Sequence, residues 1–143
     1  MPLVTPRLLI TDDDRDFRET VAGVLADRGF ETLQAADGEE ALHIICRQEV
    51  HLLLLDMQMP RLSGLETIER IYGLDVISGR TTADGKPAML LPWILISGAL
   101  DEGIVARAKA AAVFSVLPKP VRLPELTGAV AGALAQAYNW RAA

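Results

Sequence analysis

Apolar positions along the chain follow two alternating rhythms. Short dense runs, "RLLIT" at 7–11, "ETLQAA" at 31–36, "HLLLLD" at 51–56, "PWILIS" at 92–97 and "AVFSVL" at 112–117, predict strands. Between and after them, apolar residues recur at helical spacing. Phe17, Val21, Val24 and Leu25 make one stripe, and Ala41, Leu42, Ile44 and Ile45 a second. Leu65, Ile68 and Ile71 make a third, Ile104, Val105 and Ala108 a fourth, and Leu123, Leu126, Val130, Leu134 and Tyr138 a fifth. Strands that alternate with helices predict an α/β fold with a parallel sheet covered on both faces. Such a sheet explains why the run at 52–55 is leucine at consecutive positions instead of every second one. One stretch breaks the rhythm: "GLDVISGRTTADGKPAML", residues 73–90. Its Gly, Asp, Thr and Pro residues predict an extended loop or a small hairpin turning at Asp84-Gly85, with Trp93 beyond it as a hydrophobic anchor.

Composition narrows the class. The chain has 143 residues, half of them apolar, which suits one domain with its own core. A net charge of -5 without a dense Lys/Arg cluster argues against direct nucleic-acid binding, which needs positive charge gathered on one face. Cys46 is the only cysteine, so an internal disulfide and a cysteine-based zinc site are excluded; its spacing from Ala41 and Leu42 reads as a small core residue. No apolar run approaches the roughly 18 residues of a membrane span, and the N-terminus lacks a secretion signal. The expectation is a cytoplasmic protein with no membrane insertion.

In an open α/β sheet, ligands bind in the crevice beyond the carboxyl ends of the strands. Here the first strand ends in Asp12, Asp13 and Asp14, the third in Asp56, the fourth in Ser97-Gly98 and the fifth in Pro118-Lys119-Pro120. If the first and third strands are neighbours, carboxylates crowd one rim. Two unit charges about 4 Å apart repel by roughly 1 kcal/mol in water and roughly 4 kcal/mol at an effective dielectric of 20. Such a cluster calls for a cation, and hard oxygen ligands with few histidines favour Mg²⁺. Lys119 is a second positive charge that can pair with Asp56 or with a phosphoryl group placed on it. Ser97 offers a hydroxyl to an incoming oxyanion, and Gly98 leaves space around it. A carboxylate so flanked is arranged as a nucleophile toward phosphorus, forming an aspartyl phosphate. Taken singly, Asp12 to Asp14 would also suit a helix cap, and Asp56 the start of a turn. Four strand ends supplying complementary groups favour the chemical reading.

From about Arg7 to Tyr138 the chain resembles the receiver domain of two-component response regulators. "LLITDDD" is similar to the family's acidic-pair strand and "LLLLDMQMPRLSGLE" to its phosphoacceptor strand and loop. "ILISGA" resembles its hydroxyl strand, and "LPKP" its lysine strand. The resemblance implies a flavodoxin-like (βα)5 three-layer sandwich with a parallel sheet of order 2-1-3-4-5. It implies a single receiver domain over 1–143, with a core at about 7–140. It further implies that Asp56 accepts a phosphoryl group and that Asp13 ligates Mg²⁺ directly. Asp12 would act through a metal-bound water and the backbone carbonyl of Gln58 would complete the protein ligands. Ser97, Gly98 and Lys119 would form the phosphoryl-binding and switch set, with a cis bond before Pro120. Asp14 has no assigned role, and helix capping is the reading for it. The implied donor is a sensor histidine kinase or phosphotransfer protein and the output an unnamed partner protein; homodimerisation is left open. Such a protein is a signalling phosphoacceptor that promotes its own Mg²⁺-dependent phosphorylation and dephosphorylation, not an enzyme in the ordinary sense.

Two departures from the family pattern stand out. The aromatic switch residue expected three positions before the lysine is Val116, an atypical residue there; Phe114, two before it, would share its side of the strand by the period of two. The 73–90 connection exceeds the family's usual length and should lie on the face opposite the phosphorylation site. Gln58 and Ala99 should border the attacking water, whereas His43 and His51 read as surface and strand-start residues. A flavodoxin-like cofactor binder would need a phosphate-cradling loop where this chain has three carboxylates. A haloacid dehalogenase would want an acid where Gln58 stands. The rival that survives is a receiver-like interaction module that works without phosphorylation, because the Val116 position weakens the usual switch.

Overall fold

The four consecutive leucines form the middle of a parallel sheet. The computed structural model describes residues 5–73 and 91–141. In chain order the elements are β1 (Arg7–Thr11), α1 (Arg15–Asp27), β2 (Glu31–Ala35), α2 (Gly38–Arg47), β3 (Leu52–Asp56), α3 (Gly64–Tyr72), β4 (Trp93–Ser97), α4 (Glu102–Ala110), β5 (Ser115–Pro118) and α5 (Leu123–Tyr138). The sheet order is β2-β1-β3-β4-β5, all parallel, as the resemblance implied. Every residue of β3 is buried because each of its faces meets a layer of helices. Leu52 and Leu54 join Leu8, Ile10, Ile94 and Ile96 in a cluster closed by Val21 and Leu25 of α1 and Leu126, Val130 and Leu134 of α5. Leu53 and Leu55 join Leu9, Trp93 and Leu95 in a second cluster under Ala41 and Ile45 of α2, Leu65, Ile68 and Ile71 of α3, and Ala108 of α4.

Four of the five described helices are started by a side chain that accepts otherwise unpaired first-turn N–H groups. Asp14 accepts from Asp16 and Phe17 ahead of α1, Asp37 from Glu40 ahead of α2, and Asp101 from Ile104 ahead of α4. Ser63 and Glu66 form a reciprocal capping box on α3. The fifth, α5, begins with Pro124 in its first turn and ends on Asn139 in the left-handed conformation at φ 55°. These caps fix the helices directly after the strand ends, so the connections that leave the carboxyl edge of the sheet are short and bonded.

Several sequence expectations change in detail. Cys46 is exposed, not in the core. The buried stripe of α2 runs through Ala41 and Ile45, and the residue after Ile45 is turned about 100° away from it. Leu123, read as part of the α5 stripe, is 37% exposed because it opens the helix beyond the packed turns. β5 starts at Ser115, so Phe114 precedes the strand and escapes its period of two. Its ring lies against Gly132 of α5, whereas Val116 packs on the opposite face with the α2–α4 cluster. Of the 73–90 loop, residues 74–90 lie outside the described residues. Trp93 is fully buried and its Nε1 donates to the carbonyl of Ala111 at 2.9 Å, an anchor as expected. His43 is exposed, and His51 stands just before β3, where its Nδ1 accepts from the Arg7 amide at 2.8 Å. Among the described residues no helix is long and apolar enough to cross a membrane.

These placements separate two substitutions. Trp93→Ala empties the centre of one layer and strands the Ala111 carbonyl, so urea unfolding should show a loss of about 3–5 kcal/mol. Cys46→Ser should change stability by less than about 0.5 kcal/mol. A Cys46→Ser loss as large as that of Trp93→Ala would contradict the α2 orientation.

Candidate functional site

The register sets the site. Thr11 of β1 pairs with Leu55 of β3, so the residues that follow each, Asp12 and Asp56, emerge side by side at the carboxyl edge. Both are nearly inaccessible, at 1% and 3% exposure, while Asp13 is exposed. A carboxylate oxygen from each of Asp12, Asp13 and Asp56 lies within 4.8 Å of the others. From the other side Lys119, directly after β5, brings Nζ to 3.1 Å from Asp12 Oδ2 and 3.4 Å from Asp56 Oδ1. The main chain of Lys119 is held by β4, its N–H donating to the Ser97 carbonyl at 2.9 Å, and the Lys119-Pro120 peptide is cis.

Local bonds stiffen each carboxylate. Asp12 Oδ1 accepts from the amide of Asp14 at 2.8 Å, and its carbonyl accepts from Arg18 Nη1 at 2.8 Å; Arg18 Nε reaches Gln34 Oε1 at 3.3 Å. Asp14 caps α1, as the sequence suggested, so it is committed to the helix and stays out of the acidic cluster. Asp56 Oδ1 accepts from the Gln58 amide at 3.4 Å. The turn after β3 closes tightly, with Met57 N–H donating to Ile96 O and Gly64 N–H to Met57 O. A side chain at position 64 would put its Cβ 2.6 Å from the Asp56 carbonyl, which explains glycine there. Gly98 is under no such demand: an added Cβ would make ordinary contact with Lys119 at 3.8 Å. Ser97 is buried, and its Oγ accepts from the Ala99 amide at 3.2 Å, leaving its own proton available to an acceptor.

The electrostatics follow from this geometry. Burial, followed by repulsion from Asp12, pushes the Asp56 carboxyl up from 3.8 to about 6; Lys119 and the Gln58 amide pull the other way without cancelling it. Burial alone would lower Lys119, but its hydrogen bond to Asp12 and the charges of Asp12 and Asp56 hold it above the usual lysine value. One ammonium therefore serves two buried carboxylates and leaves net negative charge. The donor set is three carboxylates, oxygen ligands of the kind a hard divalent cation selects, so the cluster fits Mg²⁺.

The structure thus brings together Asp12, Asp13, Asp56, Gln58, Ser97 and Lys119. It leaves Val116 half-buried on the α2–α4 face and Phe114 on the other. Two residues of the site escaped sequence reasoning. Arg18 clamps the Asp12 main chain, and the ring of Phe17 lies 4.9 Å from Lys119 Nζ. Phe17 was legible only as a member of the α1 stripe, since nothing in a local pattern says which distant lysine will sit over a ring.

Comparison with known proteins shows the family of the chain. The family model of the response regulator receiver domain matches residues 8–131. A response regulator receiver protein of Anaeromyxobacter sp. (strain Fw109-5) is 34% identical over 120 residues, covering 84% of this chain and 45% of the relative. Response regulator MprA of Mycobacterium leprae (strain TN) is also 34% identical over 120 residues, covering 84% of this chain and 47% of its own. A response regulator receiver protein from Pseudomonas putida superimposes with a TM-score of 0.77 at 27% identity, covering 90% of this chain and 97% of that one. The chain spans about half the length of the curated relatives it matches.

The raised Asp56 value has a signed consequence. Ionising this group is harder in the folded than in the unfolded chain, so its neutral form stabilises the fold below pH 3.8 and that contribution is lost as pH rises through about 6. Asp56→Asn mimics the neutral form. Without divalent cations it should unfold at higher urea than the wild type at pH 7, by on the order of 3 kcal/mol at about 1.4 kcal/mol per pKa unit. The gap should close toward pH 4. A variant less stable than wild type at pH 7 would contradict the assignment.

Proposed function

The chain belongs to the response regulator receiver domain family, and from that premise we propose that it is the phosphoacceptor of a two-component phosphorelay, with Asp56 as the residue that takes the phosphoryl group. The observation that carries the reading is the pairing of a buried, under-neutralised Asp56 with Lys119 at 3.4 Å beside two further carboxylates. An ionised Asp56 oxygen attacks phosphorus in line. The P–N bond of a phosphohistidine on a sensor kinase or phosphotransfer protein, or the P–O bond of a small phosphodonor, breaks, and its electron pair leaves with the donor. Lys119 Nζ faces the charge that builds on the transferred oxygens, and the Ser97 hydroxyl donates to one of them. Receiver domains bind Mg²⁺ at an acidic pocket; here Asp13 and Asp56 would hold it directly, with the Gln58 carbonyl, and Asp12 through a water. Bound there, the cation supplies neutralising charge for the carboxylates and the transferred oxygens. Gln58 and Ala99, each two residues beyond a reacting strand end, border the path of the water that later hydrolyses the acyl phosphate.

Phosphorylation replaces the single charge of the Asp56 carboxylate by the roughly -1.5 to -2 charge of a phosphoryl group at pH 7, and the added charge redirects Lys119 and Ser97 and with them the ends of β4 and β5. The readout is a changed protein surface offered to an output partner.

Intact mass after incubation with a small phosphodonor tests this. Wild type should gain one phosphoryl group only when Mg²⁺ is present, Asp56→Asn should gain none, and Asp13→Ala should label more slowly. A folded wild type that takes no label from small donors or from candidate histidine kinases would leave an interaction module that works without phosphorylation.

A further inference from the structure

We propose that Phe17 is a positioning residue for the reaction at Asp56: its ring face holds the Lys119 ammonium where it reaches Asp12 and Asp56 together. The kinetic consequence rests on the phosphoacceptor reading; the contact itself does not. Lys119 Nζ lies 4.9 Å from the ring centroid, inside the roughly 6 Å within which the quadrupole of an aromatic face attracts a cation. The same nitrogen is 3.1 Å from Asp12 Oδ2 and 3.4 Å from Asp56 Oδ1. The ammonium is therefore in contact with two carboxylates and the face of a ring.

A lysine needs such a boundary. Its four-carbon stem is flexible and its charge is strongly hydrated, and here the side chain keeps 30% of its exposure. Two carboxylates attract the charge without fixing its position, since either can draw it alone. Phe17 itself is held by its backbone and by packing. It sits in the first turn of α1, its N–H donates to the capping Asp14 Oδ1 at 3.3 Å, and its side chain packs against the α1–α5 core cluster. A leucine there would fill the same apolar space but offer the ammonium no negative face. Holding Lys119 ready before the donor arrives removes an ordering step from the transfer, which is where positioning raises a rate.

The test separates the ring's electronics from its bulk. Phe17 is replaced by Leu, by Tyr and, site-specifically, by phenylalanines carrying one to three ring fluorines, in the wild-type and Lys119→Met backgrounds. Labelling by a small phosphodonor is timed at saturating Mg²⁺, and the Lys119 ε-methylene shift is read by NMR without Mg²⁺. Phe17→Leu should slow labelling on the order of fivefold. Phe17→Tyr should restore most of the rate, and each added fluorine should lower it while the melting temperature holds. In the Lys119→Met background Phe17→Leu should have no further effect, as expected when two residues act through one interaction. The ε-methylene protons should be shifted upfield in wild type and not in Phe17→Leu. Equal rates across the fluorinated series, or the same loss with and without Lys119, would overturn the positioning role while the phosphoacceptor reading stands. A wild type with the upfield shift but no label would overturn the phosphoacceptor reading and the kinetic role with it. An unshifted ε-methylene in wild type would overturn the contact.

Discussion

Two carboxylates almost sealed from water, Asp12 and Asp56, share the ammonium of Lys119. Like charges at low local dielectric repel strongly, and a single half-buried cation relieves only part of that repulsion. The site is consequently a place where the fold tolerates unfavourable charge, and the raised Asp56 value is the signature of that tension. On the phosphoacceptor reading the same tension gives the site its chemistry. Residual negative charge favours a divalent cation, and a carboxylate that is poorly solvated is a better nucleophile than one in water.

The scaffold around the pair is built to hold it. Asp56 ends the central strand β3 and Asp12 directly follows its neighbour β1, and the leucine and isoleucine faces of both strands are closed on both sides by helices. Moving either carboxylate means shifting a packed strand, which interiors at crystal-like density resist. The loops add local restraint through the Asp14 and Arg18 bonds to Asp12 and the glycine-dependent turn under Asp56. Asp14 links the two functions of that loop. Its amide ties down Asp12 Oδ1, and its carboxylate starts α1 and so places Phe17 beside Lys119.

The parts legible in the sequence are those set by short-range periodicity combined with one topological rule. Five apolar runs separated by helical stripes pointed to a parallel sheet, the family resemblance supplied its order, and the strand ends pointed to Asp12, Asp13, Asp56, Ser97 and Lys119. What escaped depended on end effects or on distant partners. Cys46 and Leu123 fell outside the buried stripes because a stripe is narrower than the apolar residues near it, and helix ends leave the core. Phe114 misled because a period of two applies only inside a strand, and β5 begins one residue later. Arg18 and Phe17 acquire their partners only through the tertiary arrangement.

On the phosphoacceptor reading, a charge placed at Asp56 has to be felt elsewhere through groups that touch the site. Val116 is half-buried on the α2–α4 face, and the ring of Phe114, 37% exposed, lies against Gly132 of α5. A second conformation requires a group whose interactions differ between the two states of the site. Lys119 meets that requirement. Its main chain is bonded to the Ser97 carbonyl of β4, its ammonium touches both buried carboxylates, and the Phe17 ring of α1 lies 4.9 Å from it. Added negative charge at Asp56 must change the balance of those contacts. On the phosphoacceptor reading the disturbance would start at Lys119 and reach the ends of β4 and β5, with the ring of Phe17 in the first turn of α1 beside it.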